Sequence, residues 1–250
     1  MHIHILFIIS LSFPPLAKAQ ENRPHPLKYR LNMNGLMIKT NKISFNVYSG
    51  TISCDTLEFH NGSDSPLSLK FNKTPEGIET EIYPEITAPG EKGHIIFKFD
   101  SKYTFGYKRW LLFPVINGVQ EYAFRFIVET AVSEDFSLLS AEEIKQKPIA
   151  EIENAVLDFG KIKSGKKLEL RYKLKNSGRN ALIIRAIKSD CNCLKIKKPK
   201  PLIGAGDEIL ISAVYDSSGQ SGFVHKTLTL ITNDPQNTVL ILRFAAEVIP

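Results

Sequence analysis

Leu168-Glu169-Leu170-Arg171-Tyr172-Lys173-Leu174-Lys175 alternates apolar and charged side chains without a break, and Asn176-Ser177-Gly178 ends it. A period of two places the four apolar residues on one side of an extended chain and the four charged ones on the other. The stretch therefore reads as a strand with one buried and one wet face. The residues that stop it occur twice. Asn61-Gly62-Ser63 with Pro66-Leu67 stands 115 positions before Asn176-Ser177-Gly178 with Ala181-Leu182. Asp100-Ser101 recurs as Asp216-Ser217, Gly106 as Gly222 and Asn117 as Asn233, each 116 positions on. A self-similar period of this length means two copies of a whole domain, not the short units of a solenoid.

Strand-like runs continue through both copies. The second has Leu182–Ile187, Glu208–Tyr215, Val224–Ile231 and Thr238–Val248; the first has Thr51–Phe59, Leu67–Phe71, Gly93–Phe99, Tyr107–Phe113 and Tyr122–Val128. Gly204-Ala205-Gly206, which aligns with Pro89-Gly90, Ser217-Ser218-Gly219 and Asn233-Asp234-Pro235 punctuate them as turns. About seven short strands per 100 residues is the pattern of an immunoglobulin-like sandwich. The expectation is all-β, two tandem immunoglobulin-like sandwiches over residues 41–132 and 151–250, joined by a partly helical linker, 133–150. Within Ser133–Lys147, Ser140 and Glu143 have capping-box spacing and Pro148 stops the helix. Residues 20–40 have no counterpart in the second copy. Either Asn34-Gly35 turns a hairpin there, or the segment is a loose N-terminal arm.

The first nineteen residues bear on compartment. Ile3, Ile5, Leu6, Phe7, Ile8, Ile9, Leu11 and Phe13 form a short apolar core, followed by Ala17-Lys18-Ala19 before Gln20. That is the form of a cleaved signal peptide. An uncleaved anchor is the alternative, but a membrane helix needs about 20 apolar residues and Pro14-Pro15 interrupts the run. The expected product is exported to the periplasm or cell surface, with no transmembrane segment. Removing Lys18 leaves 31 basic and 26 acidic side chains. Residues 20–130 carry 13 and 12 of them, residues 151–250 carry 16 and 10. The positive field belongs to the second copy, and it speaks to solubility and anionic partners rather than to fold.

Leu157-Asp158-Phe159-Gly160, Gly165, Asn176-Ser177-Gly178, Asp190-Cys191-Asn192-Cys193, Tyr215-Asp216-Ser217-Ser218-Gly219 and Thr232-Asn233-Asp234-Pro235 follow one another in a recognisable order. Residues 155–248 resemble the bacterial domain of unknown function 1573 (DUF1573), abundant in exported proteins of Bacteroidetes. That family is similar to the wider group of ASH/PapD-like sandwich modules of ciliary and pilus-chaperone proteins. Asn192 stands where the family often has Gly, and Asn also tolerates a left-handed backbone. The resemblance implies a fold and a compartment and supplies no activity.

Cys191 and Cys193 come closest to chemistry. Residues two apart in a strand lie about 6.6 Å apart, near the upper limit for a disulfide. The pair is thus either two structural thiols, a bridge that needs a kink at Asn192 (with a redox role open to it), or part of a metal site. Zinc wants four ligands, and His25, His60, His94 and His225 are scattered. Together with Cys54 the count is odd, which leaves a free thiol or an intermolecular bond. Lys195, Lys197, Lys198 and Lys200 form either an anion-binding patch or, for the first two, charges guarding an edge strand. No aromatic residues interleave with them, so nucleic acid is not the expected partner. Gly204-Ala205-Gly206 lacks the third glycine of a dinucleotide fingerprint. Asn61-Gly62-Ser63 and Asn72-Lys73-Thr74 fit a glycosylation sequon.

No catalytic motif, cofactor or metal site emerges. The leading expectation is a non-catalytic, monomeric binding or scaffolding protein whose partner is an envelope protein or an anionic surface polymer. The alternatives are a periplasmic chaperone donating an edge strand, Tyr122-Phe124-Phe126-Val128, and a thiol-redox protein using Cys191 and Cys193.

Overall fold

The computed structural model describes residues 29–102 and 104–250; the expected signal segment 1–19 lies outside them. The first unit runs β1 (Leu31–Met33), β2 (Leu36–Ile38), β3 (Lys42–Tyr48), β4 (Ile52–Asn61), β5 (Leu67–Lys70), β6 (Ile78–Tyr83) and β7 (Ile86–Thr87). It continues with β8 (Lys92–Asp100), β9 (Gly106–Leu112), β10 (Val115–Ile116), β11 (Val119–Gln120) and β12 (Phe126–Ser133). After α1 (Ala141–Lys145) come β13 (Ala150–Ile152), β14 (Val156–Lys163), β15 (Lys167–Asn176), β16 (Leu182–Ser189), β17 (Leu194–Lys197) and β18 (Leu202–Ile203). The chain ends in β19 (Glu208–Asp216), β20 (Gly222–Thr232) and β21 (Val239–Ile249).

Both units are immunoglobulin-like sandwiches. In the second, the sheet β13-β15-β19-β17 faces β14-β21-β20-β16-β18. In the first, β1-β2-β4-β8-β6 faces β3-β12-β9 together with β11-β10-β5-β7. The closing pair is parallel in each, β3 with β12 and β14 with β21. Alternation fills the cores as period-two patterning requires: Leu170, Tyr172 and Leu174 are buried against Tyr215 and Phe244. In the first sandwich Phe59, Phe97, Phe99 and Phe126 play that part. Tyr172 satisfies its hydroxyl by donating to Arg243 O at 2.9 Å, and burial pushes its pKa up to about 12.

The residues that repeat in sequence repeat in role. Asn61 and Asn176, both fully buried, close β4 and β15. Asn61 Nδ2 donates to Ser65 O and Thr87 O, and Asn176 Nδ2 to Asn180 O, Ile203 O and Gly204 O. Gly90 N–H donates to Asn61 O and Gly206 N–H to Asn176 O, which bears out the alignment of the two loops. The buried Ser101 and Ser217 hydroxyls hold the carbonyls of Thr51 and Lys166, each at the start of the equivalent strand hairpin. Asn117 Oδ1 accepts from Ser68 N–H, Asn233 Oδ1 from Ile183 N–H. Short polar side chains here supply the partner that the backbone lacks where a sheet ends. Asn61 is therefore a latch, and its sequon is not an accessible one.

Several expectations change. The Asn34-Gly35 hairpin forms, with φ of 49° and 87°, but it is no loose arm: β2 pairs with β4, and Leu36 and Ile38 lie in the core. The capping box at Ser140 and Glu143 is present, but the helix it starts spans Ala141–Lys145 only, and Ser133 belongs to β12. Tyr122–Val128 is not one strand. Tyr122 is exposed and lies before β12, while Phe126 and Val128 are core residues. β12 is paired on both sides, by β3 and β9, so it offers no free edge.

Candidate functional site

β16 and β17 lie at one side of the second sandwich, in opposite sheets. Among the described residues β17 is the edge of its sheet, paired only with β19, and carries Lys195 and Lys197 as edge-protecting charges would. β16 pairs with β20 on one side. On its other side β18 covers only Leu182 and Ile183, with one further bond, Ile184 N–H to Pro201 O at 2.7 Å. The reason is local sequence: Pro199 and Pro201 have no N–H with which to extend the pairing. What remains is a groove of about 310 Å³ with Ile184, Ala186, Ile187, Ile196, Pro199 and Pro201 in its walls. Arg185 and Lys198 stand on its rim.

The Cys191–Cys193 pair forms the turn between β16 and β17. The two cysteines are bridged, with Cα atoms 5.2 Å apart, closer than the spacing of an extended strand. The expected kink is therefore real, but Asn192 does not use the left-handed region. Among the described residues, Asn34 and Asn117 are the non-glycine residues with positive φ. The bend is held instead by Leu194 N–H on Cys191 O, by Ser189 Oγ on Cys191 O at 2.9 Å, and by Asp190, whose carboxylate accepts from Thr227 N–H and Oγ1. The bridge leaves Cys54 as the free, exposed thiol. Among the described residues no group of three or more His, Cys, Asp or Glu side chains is placed to hold a metal ion.

The four lysines do not act as one patch. Lys197 Nζ donates to Glu169 Oε1 at 2.7 Å, and Arg171 Nη2 to Glu169 Oε2 at 2.6 Å. These two hydrogen bonds hold the Glu169 carboxyl down to about 2. Lys195 lies near Asp216 and helps lower its pKa, behind the larger effect of the Ser218 hydrogen bonds. Lys195, Lys198 and Lys200 form no ion pair with a carboxylate among the described residues, and of these Lys198 lines the groove.

Behind the groove, the outer face of β16 meets the first sandwich, a contact that no motif in the sequence announces. Arg185 Nε and Nη2 donate to both Glu134 oxygens, at 2.9 and 2.6 Å, and its guanidinium lies 5.4 Å from the Phe105 ring centre. Lys188 Nζ donates to Phe105 O at 2.8 Å and Tyr107 O at 2.7 Å. Desolvation there, and then the nearby Lys108 charge, push the Lys188 pKa down. A side chain at Gly106 would run into Ile231, and the φ of +69° also suits glycine. The recurrent Gly106 thus serves as both a turn and a close approach.

Residues 150–248 match the family described as protein of unknown function (DUF1573), so the resemblance read from 155–248 is borne out. A crystal structure of a protein of unknown function from Porphyromonas gingivalis W83 is similar in fold, with a TM-score of 0.58 at 17% identity over 85% of this chain and 99% of that one. The human CEP192 ASH/PapD-like domain 7 covers 47% of this chain and 94% of its own at 12% identity, TM-score 0.35. The Pseudomonas aeruginosa CupB2 chaperone covers 82% and 98% at 8% identity, TM-score 0.27. No curated protein matches the chain.

Proposed function

We propose that this protein is an exported, non-catalytic binding or scaffolding protein of the bacterial envelope, and that its partner docks at the open side of the second sandwich. The observation that carries this reading is the groove between β16 and the Ile196–Pro201 segment, apolar in its walls and bounded by Lys198. Such a concavity with a few placed polar groups is the usual form of a binding site. The excess of 16 basic over 10 acidic residues in 151–250 favours an anionic partner, and the 1–19 segment favours export. Strand donation by Tyr122–Val128 receives no support, since β12 is paired on both sides and Phe126 and Val128 are buried. In this reading the Cys191–Cys193 bridge braces the turn that shapes the groove and is not a redox centre.

Affinity capture from the envelope of the native host tests this, comparing the wild-type protein with the pair Lys198→Glu and Lys200→Glu and with Phe223→Ser on a different exposed surface. The expected result is a partner lost with the lysine pair and retained with Phe223→Ser. Capture unchanged by the lysine pair overturns the assignment of the site.

A further inference from the structure

We infer that the open edge of β16 receives an extended peptide, apolar at alternate positions and flanked by carboxylates, as an added strand. This rests on the binding reading above and specifies the class of partner. Three independent features of the same place support it.

The first is backbone. From Ala186 to Ser189, β16 is paired, among the described residues, with β20 alone. Asp190 N–H donates toward β20, to Thr227 O. Alternation along the strand then turns the N–H and C=O groups of Ile187 and Ser189 the other way, toward the open side. An unpaired row of this kind is a template for another strand. The second feature is apolar: the side chains that an added strand would point between the sheets meet Ile184, Ile187, Ile196 and Pro199. At about 310 Å³ the groove sits at the small end of ligand cavities, which suits individual side chains of a peptide. The third is charge. Lys198 on the rim and Lys200, two residues on, lack carboxylate partners among the described residues, whereas Arg185 is committed to Glu134 and Lys197 to Glu169.

The neighbouring edge sharpens the contrast. β17 carries Lys195 and Lys197, while Ile187 packs against the core and Ser189 turns its hydroxyl onto Cys191 O. The cations of β16, Arg185 and Lys188, are drawn onto Glu134 and onto the Phe105 and Tyr107 carbonyls of the first sandwich, so they do not guard its edge as Lys195 and Lys197 guard β17. An anionic polysaccharide would satisfy the two lysines but use neither the backbone groups nor the apolar walls.

The test is an NMR titration of the full ¹⁵N-labelled protein with three probes. One is the capped peptide Glu-Val-Asp-Val-Glu-Val-Asp, the second is the same peptide N-methylated at alternate amides, and the third is polyglucuronic acid. The inference predicts shifts and slowed exchange at the Ile187 and Ser189 amides with the first peptide. It also predicts about tenfold weaker binding after Lys198→Glu and Lys200→Glu, and loss of binding with the methylated peptide. Equal binding of the methylated peptide, or no response of β16 to the first, overturns it. If polyglucuronic acid alone binds at Lys198 and Lys200, the peptide inference fails and the binding site stands. If no probe reaches the groove and envelope capture ignores the lysine pair, both fail.

Discussion

Asn176→Ala is expected to be one of the most damaging single substitutions in the chain. Its side chain is fully buried. Nδ2 serves the carbonyls of Asn180, Ile203 and Gly204, and Oδ1 accepts from Ile149 and Gly178 N–H at 3.3 and 3.0 Å. Alanine leaves these groups without partners in a place where water has little access. A buried donor left unpaired costs about 1–3 kcal/mol. Two of them, with the weakened carbonyls, give roughly 4 kcal/mol. That is a large share of a domain stability of about 5–15 kcal/mol and lowers its Tm by roughly 15–30 °C. Asn61→Ala should cost less, about 2 kcal/mol, because its Oδ1 accepts from Ser63 N–H and Oγ at the partly exposed turn. Hydrogen exchange read by mass spectrometry separates the two. Asn176→Ala should accelerate exchange through β15, β19 and β21, and Asn61→Ala through β4, β8 and β12. A loss under about 1 kcal/mol for Asn176→Ala, or faster exchange in the wrong sandwich, would refute the latch and the equivalence of the two copies.

Further outcomes are open to measurement. A double-mutant cycle of Arg185→Ala and Glu134→Ala in thermal unfolding should give a coupling of about 1 kcal/mol, since the pair is bidentate and partly screened; additive losses would contradict the contact. The Glu169 carboxyl, depressed from 4.5 to about 2 by Lys197 and then Arg171, should titrate near that value by carbon-detected NMR and rise in Lys197→Met. Because the folded pKa is the lower one, the stabilisation is present above 4.5 and is lost as pH falls through about 2. A stability that grew as the solution was acidified through this window would contradict the pairing. Replacing Cys191 and Cys193 together by Ser should cost about 1–2 kcal/mol in urea unfolding, because the bridged residues are only two apart in sequence; failure to fold would give the bridge a larger role.

Legibility followed the range of the forces. Leu168–Lys175 was readable because alternation is local, and β15 has the burial that it predicts. The repeat was readable because the same polar residue closes the same backbone gap in both copies, as with Asn61 and Asn176. β3, β6 and β14 escaped as strands. Lys42–Tyr48 in fact alternates cleanly, with Ile43 and Phe45 buried, so its local signal was present and went unread; Ile78–Tyr83 carries its charges on a sheet edge, and Val156–Lys163 is broken by a bulge at Asp158–Lys161 around Gly160. Tyr122–Val128 misled because Tyr122 and Phe124 alternate in phase with β12 without joining it. The lysine cluster was visible, but its division into paired Lys197 and unpaired Lys198 depends on Glu169, 28 residues from Lys197. The groove was invisible, since which edge of β16 stays bare is decided by a partner, β18, that is only two residues long.

The most direct test of the docking site is site-specific photo-crosslinking in the native host. A benzophenone side chain replaces Pro199 in the groove wall or, as controls, the exposed Tyr83 of the first sandwich and Phe223 of the second. The account predicts adducts from position 199 that map to an extended, carboxylate-flanked segment of the partner, with none from the other two positions. Adducts from Tyr83 or Phe223, with position 199 silent, would contradict it.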